Sequence, residues 1–500
     1  MAKKPRSQRR KKGTSMGDNG GGSGGTSAES SFDVDVLSES HTIANSDDMT
    51  FDDSMWDDGL SGGGGYDNDD DDLDQNNSVQ STQAAAEARH MKLLDVLNMV
   101  DDIPSEKRSA KRESSLRSLY RSLTQHATGM AGSDAVLSKL DEIFAACKYS
   151  IRVGSPSEQY ASCRVLEATS IVLGPDTTFY DTIYTMLWRV CQSKIKAVPV
   201  RIAAIRALSM SNFIGSNDDV STENLLDNLE LVAAKEYRNE AVPTNLRAAA
   251  LDCWALLSTT IEDLYIAGKD DVSTGRGLIL LSLLQECLDD SNVQLRSAAG
   301  ECVALIHEAR LNLGIMNSDQ NTNDGGDNTT KNTTERQFRR GTWEGSEWEE
   351  TFDEIQQRIS ELSVESGHHM SKKAKKEQRA TFREFQATIV DDETPEEVVN
   401  FRGGTLELST WSEIIQLNFI RHCLQSGFQI QLLTNSTLQT IFGANGRMLN
   451  EFGGYSQLEK RLLLSKTSDA AKAADIDLTR KRRTRNNIKN HFLTADGEDI

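Results

Sequence analysis

The stretch Leu295–Ile306, LRSAAGECVALI, decides the fold because it recurs. Kindred segments read CRVLEATSIVL from Cys163, VRIAAIRALSM from Val200 and LRAAALDCWALL from Leu246. Each sets an arginine (Arg164, Arg201, Arg247, Arg296) ahead of small residues and an aliphatic stripe at helical spacing. The arginines stand 37, 46 and 49 residues apart. One such helical pair cannot bury its apolar face alone, so neighbours must stack into a continuous core.

The period is that of HEAT or armadillo repeats. The expected fold class is all-α: a HEAT/armadillo-like helical-repeat solenoid with a small helical C-terminal domain and a disordered N-terminal tail. A solenoid offers surface rather than a catalytic cleft, so the question is what it holds. The sequence divides into a disordered basic and acidic tail (1–83), repeats (84–315), a disordered linker (316–342), continued repeats (343–400), a C-terminal domain (401–456) and a C-terminal helix with a basic tail (457–500).

Gly, Ser, Asn and Asp dominate the first 80 or so residues, a composition that buries too little apolar surface to offset chain entropy. The net charge of −21 conceals an alternation of signs. Fifteen Asp or Glu and no Lys or Arg lie between Phe32 and Asp74, whereas seven of the first twelve residues are basic. Arg480–Arg485 holds five basic residues in six. Seven cysteines are scattered without a Cys-x-x-Cys, which argues against a disulfide framework or zinc site and suits a reducing compartment. The N-terminus lacks a signal-peptide core, and no run approaches the roughly 18 apolar residues of a membrane span. The expectation is a soluble cytoplasmic protein, present in the nucleus if its basic segments direct it there.

A helical pattern starts near Ala84 and continues through Leu93, Leu94, Leu97 and Val100. SAKRESSLRSLYRSL, from Ser109, reads as a divergent first repeat, and paired helices follow to about Leu313. NSDQNTNDGGDNTTKNTT, from Asn317, is the linker. Beyond it, Phe352, Ile355, Ile359 and Leu362 make an apolar stripe, and a basic cluster runs into Phe382, Phe385 and Ile389. Gln429–Phe442 fits either a final helix or a short extended piece.

NVQLRSAAGECVALIHEAR, from Asn292, resembles the most recognisable stretch of the interferon-related developmental regulator family. So do KKAKKEQRATFREFQATI from Lys372, LSTWSEIIQLNFIRHCLQSGFQIQLLTNSTLQTIFG from Leu408, and the basic end from Thr479, all in family order. The chain departs from the family pattern in its long acidic N-terminal block and in a tail that ends in TADGEDI. The resemblance implies a helical protein without enzymatic activity, cofactor or small-molecule substrate. It also implies one of two roles. One is binding to translationally inactive ribosomes, where a C-terminal helix occupies tRNA and mRNA space. The other is transcriptional co-regulation as a nuclear scaffold for protein partners.

The candidate RNA-binding residues fall in two groups. Arg480, Lys481, Arg482, Arg483, Arg485 and Lys489 could enter phosphate-lined space and release counterions, and arginine adds bidentate bonds and stacking. A nuclear localisation signal is the competing reading, and the two are compatible. Lys372, Lys373, Lys375, Lys376 and Arg379 spread over more than one helical face, which suits a solvated helix lying on RNA or an ordinary exposed one. The repeat arginines read as structural, each beginning an inner helix and pairing with an acidic residue or a carbonyl of the neighbouring repeat, with direct contact to a partner as the alternative. The acidic block could mimic nucleic acid, screen the basic ends or merely solubilise. His368–His369 lacks a third metal ligand nearby, and the glycine runs lack the Gly-Lys-Ser/Thr of a phosphate loop.

Overall fold

The computed structural model describes residues 76–215, 219–268, 275–321, 343, 348–364, 372–401 and 404–443. The helices are α1 (Asn76–Leu97), α2 (Ser109–Gln125), α3 (Gly129–Leu137), α4 (Leu140–Val153), α5 (Pro156–Leu173), α6 (Thr177–Gln192) and α7 (Val198–Gly215). They continue with α8 (Asp219–Ala233), α9 (Thr244–Ser258), α10 (Asp263–Ala267), α11 (Arg276–Leu288), α12 (Val293–Asn321), α13 (Glu349–Val364) and α14 (Lys372–Ile389). The last are α15 (Trp411–Leu424), α16 (Phe428–Thr434) and α17 (Ser436–Ile441). The described chain is an all-α repeat solenoid, as the recurring motif requires.

Helices α2, α5, α7, α9, α12 and α14 stack side by side as an inner row. Behind the row, α4, α6, α8, α11 and α13 each pack on the inner helix that follows them. In α5 every residue from Glu158 to Val172 is buried, and in α9 every residue from Leu246 to Ser258. A helix buried all round has neighbours on every side. Outer helices cover one side of the row, and the C-terminal segment covers the other.

The recurring arginine has a capping role. The last carbonyls of a helix lack intrahelical partners and carry the negative end of its dipole. Arg201 Nε donates to Cys191 O at 2.7 Å, at the end of α6, and Arg247 Nε donates to Ala233 O at 2.8 Å, at the end of α8. Arg296 Nη1 donates to Asp290 O at 3.0 Å, just past α11. Two of these arginines, and Arg112 at the corresponding place in α2, also reach toward the next repeat. Arg112 bonds Glu158 at 2.8 Å, Arg247 bonds Glu286 at 3.3 Å, and Arg296 bonds Gln378 at 3.0 Å.

The copy at Arg164 is out of register with the others. Arg112, Arg201, Arg247 and Arg296 are each the fourth residue of their helices. Arg164 is the ninth residue of α5 and aligns with Arg206, Asp252 and Glu301. The fourth position of α5 is Gln159, whose Nε2 donates to Gly154 O at 2.7 Å and so does the capping in neutral form. Helix α7 carries both arginines, five residues apart, so either one can be matched to the single arginine of α5.

Among the described residues, two short antiparallel hairpins interrupt the helices. Glu236–Tyr237 pairs with Glu240–Ala241, and Glu397–Phe401 pairs with Gly404–Leu408. Gln429–Phe442 resolves in favour of helix, as α16 and α17. Helix α12 continues to Asn321, past the point where the composition turns polar. Trp343, the described residue between α12 and α13, is buried. Its ring stacks on Phe352 at 4.0 Å, and its Nε1 donates to His307 Nδ1 at 3.0 Å.

Candidate functional site

The ninth-position residues of the inner helices put charge where a solenoid core is otherwise apolar. Arg164 and Arg206 are 2% exposed and Asp252 6% exposed, so each needs a partner. Arg164 Nη1 lies 2.7 Å from Glu167 Oε2, and Arg206 Nη2 lies 3.4 Å from Asp252 Oδ2. The remaining donors turn toward α15. Arg164 Nη1 is 3.2 Å from His422 Nδ1, and Arg206 Nη1 is 2.8 Å from His422 Nε2. Arg164 Nη2 also donates to His422 O at 2.7 Å and to the Tyr120 hydroxyl at 2.9 Å. The Tyr120 hydroxyl donates in turn to Cys423 O at 2.7 Å.

A guanidinium only donates, so the His422 ring faces donors at both nitrogens and stays neutral. Burial first, then the charges of Arg206 and Arg164, hold its pKa well below the ordinary histidine value. Burial pushes the Asp252 carboxyl up to about 6, against the pull of Arg206.

This cluster is the midpoint of a strap. The Glu308 carboxylate on α12 accepts the backbone N–H groups of Trp411 at 2.7 Å and Ser412 at 3.3 Å. It thereby satisfies orphan donors at the start of α15, where the Thr410 hydroxyl caps Glu413 N at 3.2 Å. Gln416 Nε2 donates to Thr259 Oγ1 at 2.9 Å, beside the end of α9. Past His422, Gln431 Nε2 donates to the carbonyls of Leu123, Thr124 and Ala127 at 3.2, 3.1 and 2.8 Å. Asn435 Nδ2 donates to Ile171 O at 2.9 Å. The segment therefore runs back along the inner row from α12 to α2 and α5. Gly427 permits the close passage, since a Cβ there would sit 2.5 Å from Thr124 O.

All seven cysteines are buried, and burial pushes the Cys163 and Cys191 thiols up to about 12, out of the reactive range. Among the described residues no His, Cys, Asp and Glu cluster could hold a metal ion. No described helix is long and apolar enough to cross a membrane.

The two sequence-derived RNA-binding groups stand differently. Lys372, Lys373, Lys375 and Lys376 open α14, the last inner helix, whose Phe382, Phe385 and Ile389 are buried. Arg379 on the same helix is half-buried. Arg480, Lys481, Arg482, Arg483, Arg485 and Lys489 lie outside the described residues. Sequence reasoning missed the strap contacts altogether. His422 carried no local signal, and only the second arginine of VRIAAIRALSM hinted at a charged row.

A family model described as interferon-related developmental regulator matches residues 64–390. The segments from Asn292 and Lys372 fall inside that span, while those from Leu408 and Thr479 fall beyond it. The chain is 21% identical to interferon-related developmental regulator 1 of Mus musculus, over 68% of this chain and 69% of the relative. It is 22% identical to the Homo sapiens protein of that name, over 58% of this chain and 59% of the relative. It is 23% identical to interferon-related developmental regulator 2 of Mus musculus, over 68% of this chain and 71% of the relative. The family match covers well over half of the 500 residues, and the chain belongs to the interferon-related developmental regulator family.

Proposed function

We propose that this protein is a non-enzymatic ribosome-binding factor that represses or parks translation by occupancy. The observation that carries the reading is Arg480–Arg485, five cations in six residues within a chain of net charge −21. Such a segment gains affinity for RNA through counterion release, with no chemistry required. Family membership is compatible with this direction, since ribosome binding is one of the two roles the resemblance implies. In this reading the repeats dock on ribosomal surface and residues 477–491 block tRNA or mRNA space. The protein then acts in the cytoplasm, and the same basic segments would carry any nuclear fraction.

The nuclear scaffold reading needs a free solenoid face for protein partners. Helices α15–α17 already cover the inner row, so a partner there would have to displace them. Co-sedimentation with purified ribosomes across a salt series tests the proposal, comparing the full chain with one ending at Asp475. Salt-sensitive binding that weakens on truncation supports occupancy by the tail. Absence of binding by both forms moves the assignment to the nuclear scaffold.

A further inference from the structure

The solenoid separates charge between its two long edges. The start of α2 and the turns α4–α5, α6–α7 and α8–α9 lie along one edge, stitched by cross-repeat bonds. Lys196 Nζ donates to Ile151 O at 2.8 Å, Gln192 Nε2 donates to the Tyr237 hydroxyl at 3.3 Å, and Arg112 bonds Glu158. Segments 104–112, 148–155, 189–197 and 235–242 together carry eleven Lys or Arg and three Glu. The opposite edge, at segments 174–181, 219–223 and 260–265, carries six Asp or Glu and no Lys or Arg. A net-acidic protein thus presents a basic ridge.

Helix dipoles explain part of this pattern. Arg152 and Arg189 sit in the last turns of α4 and α6, and Lys235 follows α8, where cations are favoured. The dipole does not explain Lys107, Arg108 and Lys111, which bracket the N-terminus of α2, where it favours anions. Nor does it explain Arg238, at the apex of the first hairpin with φ of 52°, a left-handed conformation that disfavours arginine. Its guanidinium lies 5.0 Å from the ring centre of Tyr237, so charge and an aromatic face are presented together. Arg108, Arg152, Arg189, Lys235 and Arg238 are exposed and have no carboxylate partner among the described residues. Inner helices begin on this same edge, and the basic stretch ends at the α8–α9 turn, since the α11–α12 turn carries Asp289 and Asp290; the four basic residues Lys372–Lys376 begin the last inner helix beyond it.

We infer that this edge is a phosphate-binding ridge that lies along an RNA backbone, separate from the C-terminal basic segment. Inner helices pack about 8–10 Å apart, so the ridge offers a cation or two per repeat along roughly 30 Å. That geometry suits a linear polyanion and reads no sequence. The choice of RNA rests on the ribosome-binding reading; the ridge itself does not.

The test measures binding of the full chain to protein-free ribosomal RNA, and separately to ribosomes, as a function of salt. The variant combines Arg108→Gln, Arg152→Gln, Arg189→Gln, Lys235→Gln and Arg238→Asn, with helicity checked by circular dichroism. Five lost phosphate contacts reduce the slope of log affinity against log salt by about 3 to 4. An unchanged slope in the folded variant overturns the ridge. If the fivefold variant misfolds, Arg108→Gln with Arg238→Asn, both outside helix interiors, decides by a slope loss of about 1.4. The chain ending at Asp475 separates the two ideas. A ridge-dependent slope on RNA with no ribosome binding sustains the ridge and overturns the ribosome reading. Tail-dependent ribosome binding with no ridge effect does the reverse.

Discussion

Glu308 on α12 holds the first backbone N–H of α15, that of Trp411, at 2.7 Å across 103 positions of sequence. The carboxylate is a helix cap supplied from another element. Burial raises its pKa to about 7, and the N–H bonds from Trp411 and Ser412 oppose that rise. A carboxyl whose pKa is higher folded than unfolded loses stability as pH rises from its ordinary value of 4.5 to about 7. Glu308→Gln keeps one acceptor and removes the titration. Thermal denaturation from pH 4.5 to 7 is expected to show a flatter profile for the variant, the difference reaching up to about 3 kcal/mol. Parallel profiles would contradict this account of the cap.

His422 gives the opposite sign. Its pKa is held below the unfolded value of 6.5, so its contribution is present above pH 6.5 and is lost as pH falls below it. His422→Gln is expected to lose less stability than wild type below pH 6.5, by about 1.4 kcal/mol per pH unit while only the unfolded state binds the proton. Chemical denaturation at pH 5 and pH 7.5 measures the difference.

Gly300 faces the ring of Phe385, one of the contacts that join α12 to α14. A Cβ at position 300 would lie 2.5 Å from that ring. Gly300→Ala is expected to destabilise the protein by about 1–3 kcal/mol through overpacking. Adding Phe385→Leu should return part of the loss, and a double variant no better than the single would refute the steric cause.

Gln431 occupies three carbonyls at and just beyond the end of α2 with one amide nitrogen. Gln431→Leu conserves bulk and strands those acceptors. The expected cost is about 1–3 kcal/mol, with increased hydrogen exchange in α2 as well as α16. Exchange confined to α16 would show that the strap does not support α2.

Much of the fold was legible because each inner helix repeats a local problem and its local solution. Small residues let helices stack closely, and an arginine at the fourth position closes the end of the helix before it. Arg201, Arg247 and Arg296 announced themselves for that reason. The motif alone puts Arg164 in the wrong register because Arg164 and Arg206, at the ninth position, answer to a partner hundreds of residues away. Arg164 and His422 are 258 positions apart, and neither carries a pattern that names the other. Trp343 is comparable: a lone aromatic after a polar run gives no sign that His307 and Phe352 will enclose it. The basic segments were legible as composition, but the ridge was not, since its charges come from turns that only stacking aligns.

The strap has a consequence for how the chain is made. Its bonds span up to 308 positions, between Gln431 and Leu123. Helical pairs form from near neighbours, but this closure waits until nearly all of the described chain exists. During synthesis the early repeats therefore emerge with Arg164, Arg206 and their apolar surroundings still wet, an unfinished surface that invites chaperones. A stop codon just before Trp411 would spare every repeat yet leave that surface open from end to end. Such truncations should be cleared by quality control more severely than the loss of 90 residues outside the repeats suggests.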